Sequence, residues 1–259
     1  MRPHVAAIYA YARVADDIAD EGSLPAEERR SRLDAWRRRL HGALAQDRAA
    51  DPAADHEDLI VVALAHSIRA RDLPLALFDD LVSAFEQDTM TTRYASWADV
   101  LDYCRRSANP IGRLVLRVAG YRGGDLDRSS DALCTALQLT NFWQDFGRDW
   151  RAGRLYVPRD VLAAAGARES ELADRLSEGW CRAIGECVRV TREQFAAGRR
   201  VCDAVAGRLR YELRMTWLGG SRILDRVDGG RPDLMARRPT LEAGDWAAIL
   251  WGALRWAHT

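Results

Sequence analysis

Four aspartates, in two segments far apart in the chain, have the type and spacing to hold a divalent cation. In AYARVADDIADE, Asp16 and Asp20 lie four residues apart and project from one face of a helix, with Asp17 beside them and Arg13 one turn earlier. In LQLTNFWQDFGRDWRAGRLYVP the spacing returns at Asp145 and Asp149. There Gln138, Asn141, Asp145 and Asp149 follow one another as a polar stripe on a helix that also carries Leu137, Leu139, Phe142, Trp143 and Phe146. Like charges at this spacing oppose one another by roughly 0.2–0.5 kcal/mol unless a cation relieves them. Either pair alone is equally the solvated face of a surface helix. The recurrence of the pair in apolar flanks is what points to a shared metal site.

Magnesium is the cation such oxygens suit: it is hard, keeps several waters, and is held by one or two carboxylates plus substrate phosphate oxygens. Two aspartate-bearing helices can therefore bridge through magnesium to a diphosphate and neutralise the charge that grows as it departs. The residue left behind is a carbocation, which aromatic faces stabilise. Arg13 and Arg154 suit non-bridging phosphate oxygens. A di-iron carboxylate bundle would need Glu-x-x-His pairs, and no glutamate here has a histidine three residues on.

The elements that must position these residues are helices. Apolar positions recur three and four residues apart almost throughout, and no NG or DG hairpin lies between alternating apolar runs. The spacing predicts an all-α fold with helices near 3–21, 26–47, 57–70, 74–90, 97–120, 127–151, 170–187, 188–218, 219–228 and 241–257. Gly22 followed by Ser23-Leu24-Pro25 closes one helix and opens the next, and Gly123-Gly124 separates two more. Pro110, inside YCRRSANPIGRLVL, kinks or breaks its helix.

At 259 residues with no linker or repeat, one domain over 1–259 is expected. Lys+Arg and Asp+Glu balance at 38 each, every one of the cations being arginine, so no global field favours nucleic acid. The five cysteines (104, 134, 181, 187, 202) lack zinc spacing and read as buried free thiols of a reducing, cytoplasmic compartment. No window approaches the ~18 apolar residues of a membrane span. Trp246, Trp251 and Trp256 have helical spacing for an apolar face, which fits either core packing or peripheral contact with the inner face of a membrane.

At YAYARVADDIADE, FEQDTMTTRYASWADVLDYCRRSANPIGRLVL, LQLTNFWQDFGRDWRAGRLYVP and LRYELRMTWLGGSRIL, the sequence resembles the squalene and phytoene synthase family. The resemblance implies the isoprenyl synthase fold, a helical bundle around a central cavity. It implies magnesium at Asp16, Asp20, Asp145 and Asp149, and diphosphate contacts from Arg13, Asp17, Gln138, Asn141, Gln144, Arg154 and Tyr156. It also implies a cavity-facing Tyr103 and a short N-terminal segment ahead of the MRPHV start. Within the family, NFWQD and SANPIG look most like the bacterial hydroxysqualene synthases of the hopanoid pathway. Those are carbon-oxygen lyases that ionise presqualene diphosphate and let water capture the cation. Condensing relatives commonly carry arginine where this chain has Gln144, and an Ala-Gly pair where it has Ala108-Asn109. Asn109 either orients the water or satisfies a backbone group freed by Pro110. The alternatives are a prenyltransferase joining two prenyl diphosphates (presqualene diphosphate, squalene or phytoene synthase) and a non-catalytic helical subunit. No oligomeric state follows from these residues.

Overall fold

The computed structural model describes residues 1–20, 22, 24–46 and 55–256. Ser23 and the expected helix ends at 21, 47 and 257 lie outside the described residues. Thirteen α-helices run in order among them: α1 (Arg2–Asp20), α2 (Ala26–Gln46), α3 (His56–Arg71), α4 (Ala76–Asp88), α5 (Trp97–Ser107), α6 (Asn109–Val118), α7 (Gly124–Gln144), α8 (Phe146–Arg151), α9 (Arg159–Ala165), α10 (Glu178–Gly198), α11 (Val201–Ala204), α12 (Gly207–Gly229) and α13 (Ala243–Leu254). No strand occurs among the described residues, and an isolated parallel bridge pairs Arg93 with Leu155. The all-α expectation holds.

The described residues gather into two compact units, one drawn from 1–91 with 106–122 and the other from 92–105 with 123–256. In the first unit, Ile8, Tyr11, Ala15 and Ala19 form the buried stripe of α1 at helical spacing. Tyr11 stacks on Trp36 of α2 at 5.1 Å and meets Phe78 of α4 edge-on at 5.9 Å. The Trp36 indole donates to the Tyr11 carbonyl at 3.2 Å, which satisfies the one polar atom this ring takes into the core. Asp55 caps α3 by accepting from the Asp58 amide at 2.7 Å.

Helix α5 ends at Ser107 and α6 starts at Asn109, with Pro110 in its first turn, where a missing N–H costs nothing. The expected helix over 97–120 is therefore two, broken at Ala108.

In the second unit α7 and α10 form the most extensive helix pair. Gly198 permits their approach, since a Cβ there would lie 2.5 Å from the Leu133 amide nitrogen. Ser129 ties the end of α10 to α11 by accepting from the Val201 amide at 2.9 Å. Three expected helices are redrawn. The segments predicted at 170–187, 188–218 and 219–228 are instead α10, α11 and α12, with breaks after Gly198 and before Gly207, whose φ is +61°. The seven-residue α9 was not anticipated.

On α13, Trp246, Leu250, Trp251 and Leu254 are all more than half exposed. Trp256 lies past the helix, is buried, and packs edge-on against Trp217 at 5.4 Å, so it is core and not part of that face. No helix among the described residues is long and apolar enough to cross a membrane. None of the five cysteines is in a disulfide, and burial pushes the Cys104 and Cys202 thiols up to about 12.

Candidate active site

The first acidic motif occupies the C-terminal half of α1, with Asp16 half-buried at the margin of the Tyr11–Ala15–Ala19 stripe. Arg13 reaches Asp16 at 3.0 Å and Asp17 at 2.7 Å, and Asp17 and Asp20 are exposed. Helix carbonyls make this end negative, so three carboxylates here are unfavourable until a cation arrives. Arg29 meets part of that need by donating to the Ala19 carbonyl.

The second motif lies at a joint. The expected continuous stripe from Gln138 to Asp149 is interrupted: α7 stops at Gln144, Asp145 has φ −92° and ψ 11°, and α8 begins at Phe146. The Asp145 carbonyl accepts from both the Arg148 amide (2.8 Å) and the Asp149 amide (2.9 Å), which holds the two carboxylates about one turn apart despite the break. Gln138 is half-buried and Asn141 is exposed. The Gln144 amide is spent on structure, donating to the Pro239 carbonyl at 2.7 Å.

Both carboxylates are met by arginine. Arg238 takes both oxygens of Asp145, Arg148 stands 3.5 Å from it, and Arg154 is 3.3 Å from Asp149. Arg238 and Arg148 were not singled out from the sequence. Arg238 is 93 positions from its partner, so no local spacing could have shown it.

Aromatic rings gather beside this motif. The Leu155 amide donates to the Thr92 carbonyl at 2.9 Å and the Arg159 amide to the Tyr94 carbonyl at 3.0 Å, so the two segments run side by side. That pairing stacks Tyr94 on Tyr156 at 5.7 Å, and Tyr156 lies face to face with Phe142 at 3.7 Å. Tyr103 completes the group, 5.9 Å from Tyr94 and 6.0 Å from Phe142. Tyr94 is a member that sequence spacing did not reveal. Asn109 is buried in the first unit, whereas Tyr103 and Cys104 belong to the second.

The donor set suits magnesium: every candidate ligand is a carboxylate oxygen, and burial already penalises the charge of one of them. Within either unit, no three His, Cys, Asp or Glu side chains gather as a protein-only cage among the described residues. Magnesium held by paired carboxylates needs none when substrate phosphates complete its shell.

Burial pushes the Asp149 carboxyl up from its ordinary value of 3.8; Arg154 pulls against it, and the Asp145 charge adds to the rise. An acid whose folded pKa is raised destabilises the fold when ionised. That cost is fully present above the folded pKa, is relieved as pH falls through it, and is gone below the unfolded value. In metal-free protein Asp149→Asn is therefore expected to melt at or above the parent at pH 7, with the gap closing as pH falls toward 3.8. Thermal melts in EDTA across that range read this directly, and a gap that widens toward acid would contradict it.

Comparison with known proteins adds three findings. The sequence pattern of the squalene/phytoene synthase family matches residues 1–245. Over 172 residues, 66% of this chain and 55% of the relative, the chain is 38% identical to a hydroxysqualene synthase of Rhodopseudomonas palustris. It is also 35% identical over 167 residues, 64% of this chain and 52% of the relative, to a phytoene synthase of Mycobacterium tuberculosis. The matched region thus spans about half the length of these relatives. Among solved structures, squalene synthase HpnC from Alicyclobacillus acidocaldarius superposes with a TM-score of 0.79 at 37% identity, over 87% of this chain and 82% of that one. A dehydrosqualene synthase reaches the same TM-score, 0.79, at 18% identity over 98% of this chain and 86% of that one, a likeness of fold.

Proposed function

The chain belongs to the squalene/phytoene synthase family, and from that premise we propose that it is a magnesium-dependent enzyme that ionises a prenyl diphosphate, with presqualene diphosphate as substrate and hydroxysqualene as product. The observation that carries the reading is the second motif. Two half-buried aspartates one turn apart adjoin a cluster of four aromatic rings and three arginines. Asp145 and Asp149 in the second unit, and Asp16 and Asp20 in the first, each offer carboxylate oxygens to magnesium. When bound, magnesium supplies Lewis-acid neutralisation of the leaving diphosphate.

The residues do the rest. Arg148 and Arg154 sit within reach of the carboxylates and can turn to phosphate oxygens that arrive with the metal. Arg13, paired with Asp16 and Asp17, has the same relation to the first motif. The carbon–oxygen bond breaks with both electrons leaving on the diphosphate. The rings of Tyr94, Tyr103, Phe142 and Tyr156 offer the resulting cation an apolar, electron-rich surface. Water then forms the new carbon–oxygen bond and gives up a proton.

Likeness to a hydroxysqualene synthase and to a phytoene synthase at similar identity keeps one second reading, a head-to-head prenyltransferase. Incubation with magnesium and either presqualene diphosphate or farnesyl diphosphate separates the two. Hydroxysqualene from the former is expected. Product from farnesyl diphosphate alone, with none from presqualene diphosphate, would replace this assignment with the prenyltransferase. Turnover of neither, with no thermal stabilisation by magnesium plus diphosphate, would mark a scaffold without catalysis.

A further inference from the structure

Asp145 already has a cation. Arg238 places Nε against Oδ1 and Nη2 3.2 Å from Oδ2, so both carboxylate oxygens are taken by one planar fork. The arginine does not arrive there as a wandering surface side chain. It is carried on the segment 234–240, which follows the 3-10 turn Arg231–Asp233 and is laid across the α7–α8 joint by three features. The Gln144 amide donates to the Pro239 carbonyl at 2.7 Å, and Arg151 donates to the Met235 carbonyl at 3.1 Å. Between them Gly147 leaves no space: a Cβ there would lie 2.5 Å from the Met235 carbonyl oxygen and 3.0 Å from that of Leu234. Pro239 narrows the backbone next to Arg238 further.

A carboxylate whose two oxygens both accept from one guanidinium has much of its charge and its best-aligned lone pairs engaged, so a divalent cation must compete for them. We propose that Arg238 is the resident counterion of Asp145, which magnesium must displace, so that Arg238 lowers the metal affinity of the free protein and couples metal entry to loosening of residues 236–240. This rests on the reading of Asp145 and Asp149 as magnesium ligands. The tie from Arg151 to the Met235 carbonyl does not involve the carboxylates and lies outside 236–240, so it anchors the segment beside the stretch that loosens. The release is thus local.

The test titrates magnesium alone, by calorimetry, into the parent, Arg238→Gln, Arg238→Lys, Asp145→Asn and Asp149→Asn, with amide hydrogen exchange of residues 236–240 read in parallel. Arg238→Gln is expected to bind magnesium about three- to tenfold more tightly than the parent, the range for a half-exposed ion pair removed from competition. Arg238→Lys, which keeps the charge but loses the fork, should fall between them. In the parent, saturating magnesium should speed exchange at 236–240, and in Arg238→Gln it should change little. If the parent and Arg238→Gln bind equally, or the variant binds more weakly, the counterion role is wrong while the metal site stands. If the parent binds no better than Asp145→Asn and Asp149→Asn, the acidic pair is not the metal site and both readings fall.

Discussion

Asparagine in place of Asp149 is expected to lower kcat/KM on the prenyl diphosphate by roughly 10³-fold, about 4 kcal/mol of transition-state stabilisation, with no accompanying loss of thermal stability. The two halves of this result have one cause. Asn keeps the shape of the side chain but offers a hard cation a neutral amide oxygen, a poor ligand beside a carboxylate. The fold does not need the charge: burial is the largest influence on this carboxyl, and Arg154 only partly offsets it. On that balance the ionised carboxylate is expected to cost the metal-free fold stability. Kinetics under saturating magnesium and melts in EDTA check the pair of outcomes. Parent-like turnover would remove Asp149 from the ligand set, and a large fall in melting temperature would make it a structural residue.

The aspartate pairs were legible because a helix face is a local property. Four-residue spacing needs only the knowledge that the segment is helical, and the three-four recurrence of apolar positions supplies that for α1 to α4. The joint at Asp145 was not legible. No proline or glycine precedes it, and Gly147, the residue that lets the strap approach, explains itself only once Leu234 and Met235 are seen against it. Arg238 and Tyr94 were hidden for the same reason: each reaches the motif through pairing between segments far apart in sequence. The breaks around α11 were masked differently. Amphipathic periodicity continues across Gly198–Gly207, so the pattern reads as one long helix where the backbone turns twice. The tryptophans show the limit of spacing from the other side. Trp246 and Trp256 share a predicted stripe, yet one ends in solvent and the other in the core, because α13 stops at Leu254 between them.

Trp143→Ala is expected to destabilise the protein by about 3–5 kcal/mol and to lower its melting temperature by roughly 6–20 °C. The ring has no exposed surface, meets Trp97 edge-on at 6.3 Å and Phe142 at 6.2 Å, and donates through Nε1 to the Thr191 hydroxyl at 2.9 Å. The hydrogen bond is the smaller share. Thr191 keeps its own bond to the Cys187 carbonyl at 2.7 Å, so its hydroxyl is not orphaned when the indole is removed. Trp143→Phe, which deletes the donor and keeps most of the volume, should accordingly cost only about 1–2 kcal/mol. The cavity is the larger share because α7 and α10 cannot move inward to fill it, being already in backbone contact where Gly198 meets Leu133. Urea unfolding of the two variants reads the difference, and a cost below about 1 kcal/mol for the alanine would mean that the helix pair closes up after all. Trp143 immediately precedes Gln144 and Asp145, so its loss should also weaken magnesium binding, by loosening the joint that presents the carboxylates. The two substitutions thus separate the roles of one short segment: at position 149 activity falls while stability holds, and at position 143 both fall together.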